Sequence, residues 1–169
     1  MPVSYLATSM EMTDSEQLNP APRHAEVSLT PTPGRSWVIK PLHDRVAGPA
    51  GWRSVNWSAE QWRRRLINPR VRYATILVGG QIAGLAEFES QPKAQVEITM
   101  FGFAPEYLVE EALASGLVDY AFTLATKVAW ALPDAAGKLP QRVWVNLRSG
   151  AAELALDYSA RGYTPVVPA

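Results

Sequence analysis

The sequence predicts an α/β fold of the α+β kind, a single domain in which helices flank a central mixed β-sheet. Three observations lead to this class. Several short runs alternate apolar and polar residues, a Gly-Gly pair separates two of these runs, and a long amphipathic helical pattern follows them. The chain has 169 residues and is 47% hydrophobic, which is enough for one domain with its own core.

The N-terminal stretch, residues 1–35, predicts a flexible arm ahead of a domain that covers residues 36–169. It is rich in Ser, Thr and Glu and shows no clear hydrophobic period. It also contains five prolines, at positions 2, 20, 22, 31 and 33. A segment of this composition is not expected to build a packed core.

The first elements of the domain are a short strand, a loop and a helix. Residues 37–39 are a strand candidate that ends at Pro41, and residues 41–57, with several glycines and prolines, indicate a loop. A capping box, Ser58-Ala59-Glu60-Gln61, then predicts a helix start. Apolar residues follow at helical spacing until Pro69.

The middle of the chain predicts a β-hairpin and a third strand. The strands are residues 73–78 and 81–89, and Gly79-Gly80 suits the positive φ angles of a tight turn. In residues 96–103, Val96, Ile98 and Met100 alternate with Glu97, Thr99 and Phe101. This alternation predicts that the first three side chains share one face of the sheet.

The C-terminal third predicts two helices and two strands. An apolar stripe indicates one long helix over residues 105–132, and residues 142–147 form a strand. A last helix over residues 151–161 ends at Gly162, and residues 163–167 form a final strand. The predicted order is β-α-β-β-β-α-β-α-β.

Composition excludes several classes of function. Sixteen basic residues balance sixteen acidic ones, so we expect neither a nucleic acid nor a membrane as partner. With no cysteine and only two histidines, no metal site or disulfide framework is expected. The absence of cysteine, of a long apolar run and of a signal-peptide pattern predicts a cytoplasmic protein.

Short segments in this order resemble the GNAT superfamily of acyl-CoA N-acyltransferases, in particular its small bacterial members. The resemblance covers roughly residues 52–165 and is carried by six segments. They are Trp57-Ser58-Ala59-Glu60-Gln61-Trp62, Gly80-Gln81-Ile82-Ala83-Gly84-Leu85-Ala86-Glu87-Phe88, Val96-Glu97-Ile98 with Phe101-Gly102-Phe103-Ala104-Pro105-Glu106-Tyr107, Ala129-Trp130-Ala131-Leu132, Arg142-Val143-Trp144-Val145, and Tyr158-Ser159-Ala160-Arg161-Gly162-Tyr163.

The resemblance implies an acyl-CoA, normally acetyl-CoA, as cofactor. The strand at residues 97–103 would bend at a bulge and splay from a parallel strand at residues 142–147, and the pantetheine arm would lie between them. The pyrophosphate would sit on the N-terminus of the following helix. The cofactor-binding residues implied are Met100, Phe101, Gly102, Phe103, Leu108, Val109, Glu110, Glu111, Ala112, Leu113 and Asn146.

The strand-to-helix junction departs from the family pattern. Glycines would let backbone amides reach a phosphate, but this chain has Val109, Glu111 and Leu113 there. Glu110 and Glu111 would add negative charge beside a diphosphate, although acidic residues are also good first-turn residues of a helix. The sequence thus predicts a degenerate phosphate loop, with coenzyme binding that is weak or absent.

The resemblance also implies catalytic and substrate-binding roles. Tyr158 would be the general acid for the leaving thiolate, and Glu97 the base for an incoming amine; the alternatives are a packing tyrosine and an ordinary strand carboxylate. Trp57 and Trp62 would line the acceptor site, although Trp62 also fits a core position. The run at residues 63–65, three arginines, is typical of a solvated helix face or an anion site, and His43 carries no pattern.

Three functions stay open on the sequence. The first is an acyl-CoA-dependent N-acyltransferase, an acetyltransferase acting on an amine of a small molecule or peptide. The second is a GNAT-fold protein that has lost ordinary acetyl-CoA binding and serves another reaction or a ligand-binding or regulatory role. The third is a structural subunit whose arm, residues 1–35, wraps a partner chain. A homodimer is an open alternative.

Overall fold

The computed structural model describes residues 9–147 and 156–166, which form one mixed β-sheet with helices on both faces. The strands are β1 (Ser9–Met12), β2 (Val27–Thr32), β3 (Val71–Val78), β4 (Gln81–Gln91), β5 (Gln95–Phe103), β6 (Arg142–Asn146) and β7 (Thr164–Pro165). The helices are α1 (Ile39–Ala50), α2 (Ala59–Ile67), α3 (Glu110–Ala114) and α4 (Leu117–Trp130). The strand order is β2-β3-β4-β5-β6-β1-β7. The predicted fold class is confirmed.

The described part of the N-terminal stretch differs from the arm predicted over residues 1–35. β1 pairs antiparallel with both β6 and β7, and β2 pairs antiparallel with β3 at the sheet edge. Met10 and Met12 are buried in the main core, which anchors β1. Pro31 is tolerated in β2 because an edge strand has backbone groups with no ladder partner. The packed domain therefore begins well before residue 36.

Helix α1 stands where a strand was predicted at residues 37–39 and where the first part of a loop was predicted at residues 41–57. Pro41 falls in its first turn, where backbone N–H groups have no intrahelical acceptor, so the missing N–H of proline costs no hydrogen bond. Its buried face includes Ile39, Leu42 and Val46, and Gly51, with φ of 71°, caps its C-terminus. Proline at residue 41 marks the start of a helix here, not the end of a strand.

Local signals for the hairpin and for α2 are confirmed. Gly79 and Gly80 have φ of 58° and 81° between the antiparallel strands β3 and β4. The Ser58 side chain accepts a hydrogen bond from the Gln61 backbone, and the Gln61 side chain caps the Ser58 backbone in return. Both features depend on residues close together in sequence, so the sequence alone specifies them.

A β-bulge in β5 changes which side chains face each layer. Glu87 is opposite Met100 and Phe88 is opposite Ile98, so Thr99 is the extra residue. Ile98 belongs to the main core under α4, whereas Met100 packs with α1 on the other face. The strand is confirmed, but the predicted shared face of Ile98 and Met100 is wrong.

The long helix predicted over residues 105–132 is two helices separated by a turn. Gly116, with φ of 81°, precedes α4, and the five-residue α3 comes before it. Of the helix predicted over residues 151–161, residues 151–155 lie outside the described part; residues 158–162 form turns. Among the described residues, no helix combines the length and apolar character required to cross a membrane.

Candidate active site

Strands β5 and β6 are parallel neighbours that separate along their length. They pair only from Gln95 with Arg142 to Glu97 with Trp144. β5 then continues to Phe103, paired with β4 alone among the described residues. The predicted parallel, splayed arrangement is therefore present, and one edge of β5 is left without a strand neighbour.

A cleft of about 260 Å³, called the strand cleft, opens where β5 and β6 separate. Its described lining carries no charged side chain and comes from β5, β6, α1, α4 and the adjoining loops. The lining residues are Val46, Pro49, Ala50, Trp52, Ile98, Thr99, Met100, Phe101, Gly102, Phe103, Pro105, Leu108, Phe122, Val145, Asn146, Leu156 and Tyr158. An apolar slot beside a free strand edge suits an extended chain with amide groups.

The candidate acid Tyr158 lies in the wall of the strand cleft. Its ring packs edge-on against Phe122, with centroids 5.3 Å apart, and near Tyr163, with centroids 6.0 Å apart. Tyr163 is instead a core residue whose hydroxyl hydrogen-bonds Thr126 at 2.7 Å, and burial raises its pKa. Of these two tyrosines, only Tyr158 lines the cleft.

The residues suggested for coenzyme binding divide into two groups. Met100, Phe101, Gly102, Phe103, Leu108 and Asn146 line the strand cleft. Val109, Glu110, Glu111, Ala112 and Leu113 form the cap and body of α3 and are not among its described lining residues. Glu110 and Glu111 are exposed.

A second cavity of about 290 Å³, called the side pocket, adjoins the strand cleft. The two share Trp52, Thr99 and Met100, so the bulge lies at their junction. The remaining described lining residues are His43, Ser54, Trp57, Trp62, Arg65, Glu87, Glu89 and Glu97. A substrate bound in the side pocket would therefore reach a group held in the strand cleft, and the two would meet beside Thr99 and Met100.

The side pocket contains more carboxylates than cations. Arg65 donates to Glu87 at 2.7 Å and to Glu89 at 3.1 Å, and Thr99 donates to Glu87 at 2.6 Å. Burial acts to raise the pKa of Glu87, but the Arg65 and Thr99 interactions outweigh it and the pKa is lowered. Glu87 therefore stays ionised. With Glu89 and Glu97, the described pocket lining contains three carboxyl groups but a single guanidinium, that of Arg65.

The candidate base Glu97 is buried and held by two amide donors. Gln91 Nε2 donates to one carboxyl oxygen at 2.9 Å, and Asn146 Nδ2 donates to the other at 3.2 Å. Because Asn146 also lines the strand cleft, it connects the two cavities.

The candidate acceptor residues Trp57 and Trp62 both line the side pocket. Their ring centroids are 5.2 Å apart, and Trp62 is also buried and donates to the Ser54 carbonyl at 3.2 Å. The Trp62 ring packs edge-on against His43 at 4.4 Å. Trp62 thus belongs to both the core and the pocket wall.

Sequence reasoning missed Ser54, Glu87 and Glu89, which the fold brings to this pocket, and it considered His43 and Arg65 without placing them there. A signal for two of them was present, because Glu87 and Glu89 alternate with the buried Ala86 and Phe88 along β4. Nothing local distinguishes Arg65 from its neighbours Arg63 and Arg64.

Comparison with known proteins identifies the fold. No family model and no curated protein matches the chain. Among solved structures, it is similar to a GCN5-related N-acetyltransferase from Kribbella flavida, with 15% identity and a TM-score of 0.59. It is also similar to a functionally unknown conserved protein from Staphylococcus epidermidis, with 15% identity and a TM-score of 0.58.

These two alignments cover 94% of this chain, but only 54% and 57% of the matched chains. The chain therefore spans little more than half the length of each of these proteins. At this identity the likeness establishes the fold alone. Together with the splayed strands, it defines a single GNAT-like domain.

Proposed function

We propose that this domain is an acyl-CoA-dependent N-acyltransferase whose acceptor is the amine of a small molecule or peptide. The observation that carries the proposal is the junction of the two cavities at Thr99 and Met100. A thioester in the strand cleft and an amine in the side pocket would meet beside the bulged strand. Acetyl transfer by the GNAT-like protein from Kribbella flavida belongs to the same reaction class.

The charge and shape of the side pocket support an amine acceptor. Three carboxyl groups face one guanidinium, and three tryptophans, Trp52, Trp57 and Trp62, contribute to the walls. Ionised carboxylates and aromatic faces both attract an ammonium group. A cationic amine is therefore favoured over an anionic acceptor.

The role proposed for each side chain rests on the cavity that it lines. Glu97 is the base that takes a proton from the ammonium, directly or through water, and Tyr158 protonates the leaving thiolate. The free edge of β5, residues Met100–Phe103, supplies backbone N–H groups that stabilise the developing oxyanion. The acyl-CoA brings the activated thioester carbonyl.

The second candidate function is a GNAT-like protein that does not bind acetyl-CoA in the ordinary way. The observation that favours it is α3, a five-residue helix with Glu110 and Glu111 in its first turn. The apolar strand cleft would accept an extended pantetheine arm, but its described lining offers no cation for a diphosphate. A thioester without the nucleotide would avoid this mismatch.

We expect acetyl-CoA to bind weakly, with a dissociation constant well above the micromolar range that substrate sites often show. Replacing Glu110 and Glu111 by Gln should tighten binding a few-fold, and more so at low salt, because these exposed charges are screened. Isothermal titration calorimetry measures both effects, and Glu16→Gln, an exposed glutamate outside both described cavity linings, is the control. Low-micromolar binding by the unmodified protein would instead favour an ordinary acetyltransferase.

The Tyr158→Phe variant should transfer acetyl groups about 100-fold more slowly at saturating donor, since general acid catalysis contributes on this order. The change removes one hydroxyl and keeps the ring that packs on Phe122, so the thermal unfolding temperature should change little. Tyr120→Phe, in a half-buried tyrosine of α4 outside the described lining of the cleft, is the matched control. Equal turnover in both variants would remove Tyr158 from the mechanism.

A further inference from the structure

Three side chains in and just after α1 form a hydrogen-bonded chain that ends in the side pocket. His43 Nε2 lies 2.7 Å from Ser54 Oγ, and His43 Nδ1 lies 3.0 Å from Asp44 Oδ1. These distances are within the range that joins a nucleophile to its base and the base to an orienting carboxylate. His43 and Ser54 both line the pocket.

The hydrogen-bond partners fix the tautomer of His43. An ionised carboxylate accepts but cannot donate, so the ring nitrogen that faces Asp44 carries the proton. In the neutral ring the other nitrogen, Nε2, then holds a lone pair and accepts the hydroxyl hydrogen of Ser54. Lys40 donates to Asp44 at 2.7 Å and helps to keep that carboxylate ionised.

The surroundings hold the imidazole in its neutral form and in one orientation. Only 3% of His43 is exposed, and burial lowers its pKa in spite of the neighbouring Asp44. The Trp62 ring packs edge-on against the imidazole. A neutral imidazole in a fixed orientation can accept a proton at pH 7.

We propose that Ser54 is a nucleophile activated by His43, and that the side pocket hydrolyses small activated carboxylic esters through an acyl-serine intermediate. Ser54 Oγ bonds to the ester carbonyl carbon as its hydrogen passes to His43 Nε2. The carbonyl-to-alkoxy bond then breaks, and the alkoxide leaves with that proton. Water attacks the acyl-serine, loses a proton to His43, and the same proton returns to Ser54 Oγ as the acid leaves.

Asp44 is a positioning residue in this scheme, since it holds the ring nitrogen that does not face Ser54. The activity goes beyond acyl-CoA-dependent transfer, because it uses neither Glu97 nor Tyr158 and requires no coenzyme. The Trp57 and Trp62 rings in the pocket wall offer apolar contact to the acyl or alkoxy group of the ester. Because the hydrolysis uses different residues and no coenzyme, its failure can be separated from failure of the proposed transferase.

The first test is covalent labelling of the full chain with a fluorophosphonate probe, followed by intact mass and peptide mapping. We expect one phosphonyl group on Ser54, no labelling in Ser54→Ala, and at least about tenfold slower labelling in His43→Gln. Ser28→Ala, in an exposed serine of β2, and His24→Gln, in the other histidine, are controls that should label like the unmodified protein. Hydrolysis of p-nitrophenyl acetate should fall in the same two variants.

The second test uses the absence of cysteine from the chain. Ser54→Cys introduces a single thiol, and Ser28→Cys places one at an exposed control site. At pH 6.5, iodoacetamide should alkylate Ser54→Cys at least about tenfold faster than Ser28→Cys, because a neighbouring imidazole favours the thiolate. This rate advantage should disappear in the double variant Ser54→Cys/His43→Gln. It should be reduced by a smaller factor when Asp44→Asn is combined with Ser54→Cys.

Within the described part of the chain, the charged groups that act on the His43 ring are Asp44 and Lys40 on its own helix and Glu87 from β4. The alkylation profile is therefore recorded from pH 5.5 to 9 with Glu87 ionised throughout. Labelling that survives in Ser54→Ala overturns the proposal. Equal alkylation rates of Ser54→Cys and Ser28→Cys also overturn it, and this result does not depend on how stably Ser54→Ala folds.

Discussion

The Arg65→Met variant should lose about 3 kcal/mol of free energy of unfolding at pH 7, because removing one member of a buried ion pair leaves an uncompensated charge. The Arg65 and Glu87 side chains are 20% and 10% exposed, and Arg65 also binds Glu89 at 3.1 Å. Methionine keeps much of the apolar length of arginine, so the loss reports mainly the missing charge. Urea unfolding at pH 7 measures it.

The pH dependence of the same variant gives an independent check. The pKa of Glu87 is lowered in the folded protein, so its contribution to stability is complete above the ordinary glutamate pKa of 4.5 and is lost as the pH falls through the lowered value. Without Arg65 this pKa should rise, because burial then dominates. The difference in unfolding free energy between the variant and the unmodified protein should therefore shrink on acidification.

Arg63→Met is the control, since Arg63 is exposed and pairs with Glu60 at the helix surface. Its unfolding curve should match that of the unmodified protein. An equal loss in Arg63→Met and Arg65→Met, or a penalty for Arg65→Met that does not change between pH 7 and pH 4, would contradict the role of the buried pair.

The arginine run shows why the side pocket could not be read from the sequence. Arg63, Arg64 and Arg65 are consecutive, but successive residues on a helix point about 100° apart. Arg63 and Arg64 bind Glu60 at the surface, whereas Arg65 turns toward Glu87 on β4. Only the packing of α2 against the sheet decides which arginine enters the pocket.

The bulge in β5 is a second feature that alternation could not predict. The hydrophobic pattern correctly predicted the strand, because it depends on neighbouring residues alone. It placed Met100 on the same face as Ile98, but the extra residue Thr99 reverses the order after that point. The reversal directs Met100 toward α1 and the side pocket and Phe101 toward the main core.

Long-range pairing explains the differences at the N-terminus. β1 has only four residues, and its place between β6 and β7 depends on contacts with residues more than 130 positions away. A short segment near several prolines gives no local sign of such pairing. By contrast, the hairpin at Gly79-Gly80 and the Ser58 capping box are specified within a few residues, and both were predicted from the sequence.

A second large effect is expected from Phe122→Ala in α4, with a loss of about 3–5 kcal/mol of unfolding free energy. Phe122 is 1% exposed, and its ring lies 5.1 Å from that of Phe101, 5.3 Å from Tyr158 and 5.4 Å from Tyr163. Truncation removes the contact shared by four aromatic rings. It also removes the wall against which Tyr158 packs.

The Phe122 variants also test the proposed role of Tyr158. Phe122→Leu retains more of the side-chain volume, so its loss of unfolding free energy should be smaller than that of Phe122→Ala. If Tyr158 is the acid, acetyl transfer at a temperature where both variants are folded should fall more in Phe122→Ala, because Tyr158 is then held less firmly. The same Phe122 substitutions in a Tyr158→Phe background should then have little further effect on turnover. A full additional loss in that background would mean that Phe122 shapes the strand cleft independently of Tyr158.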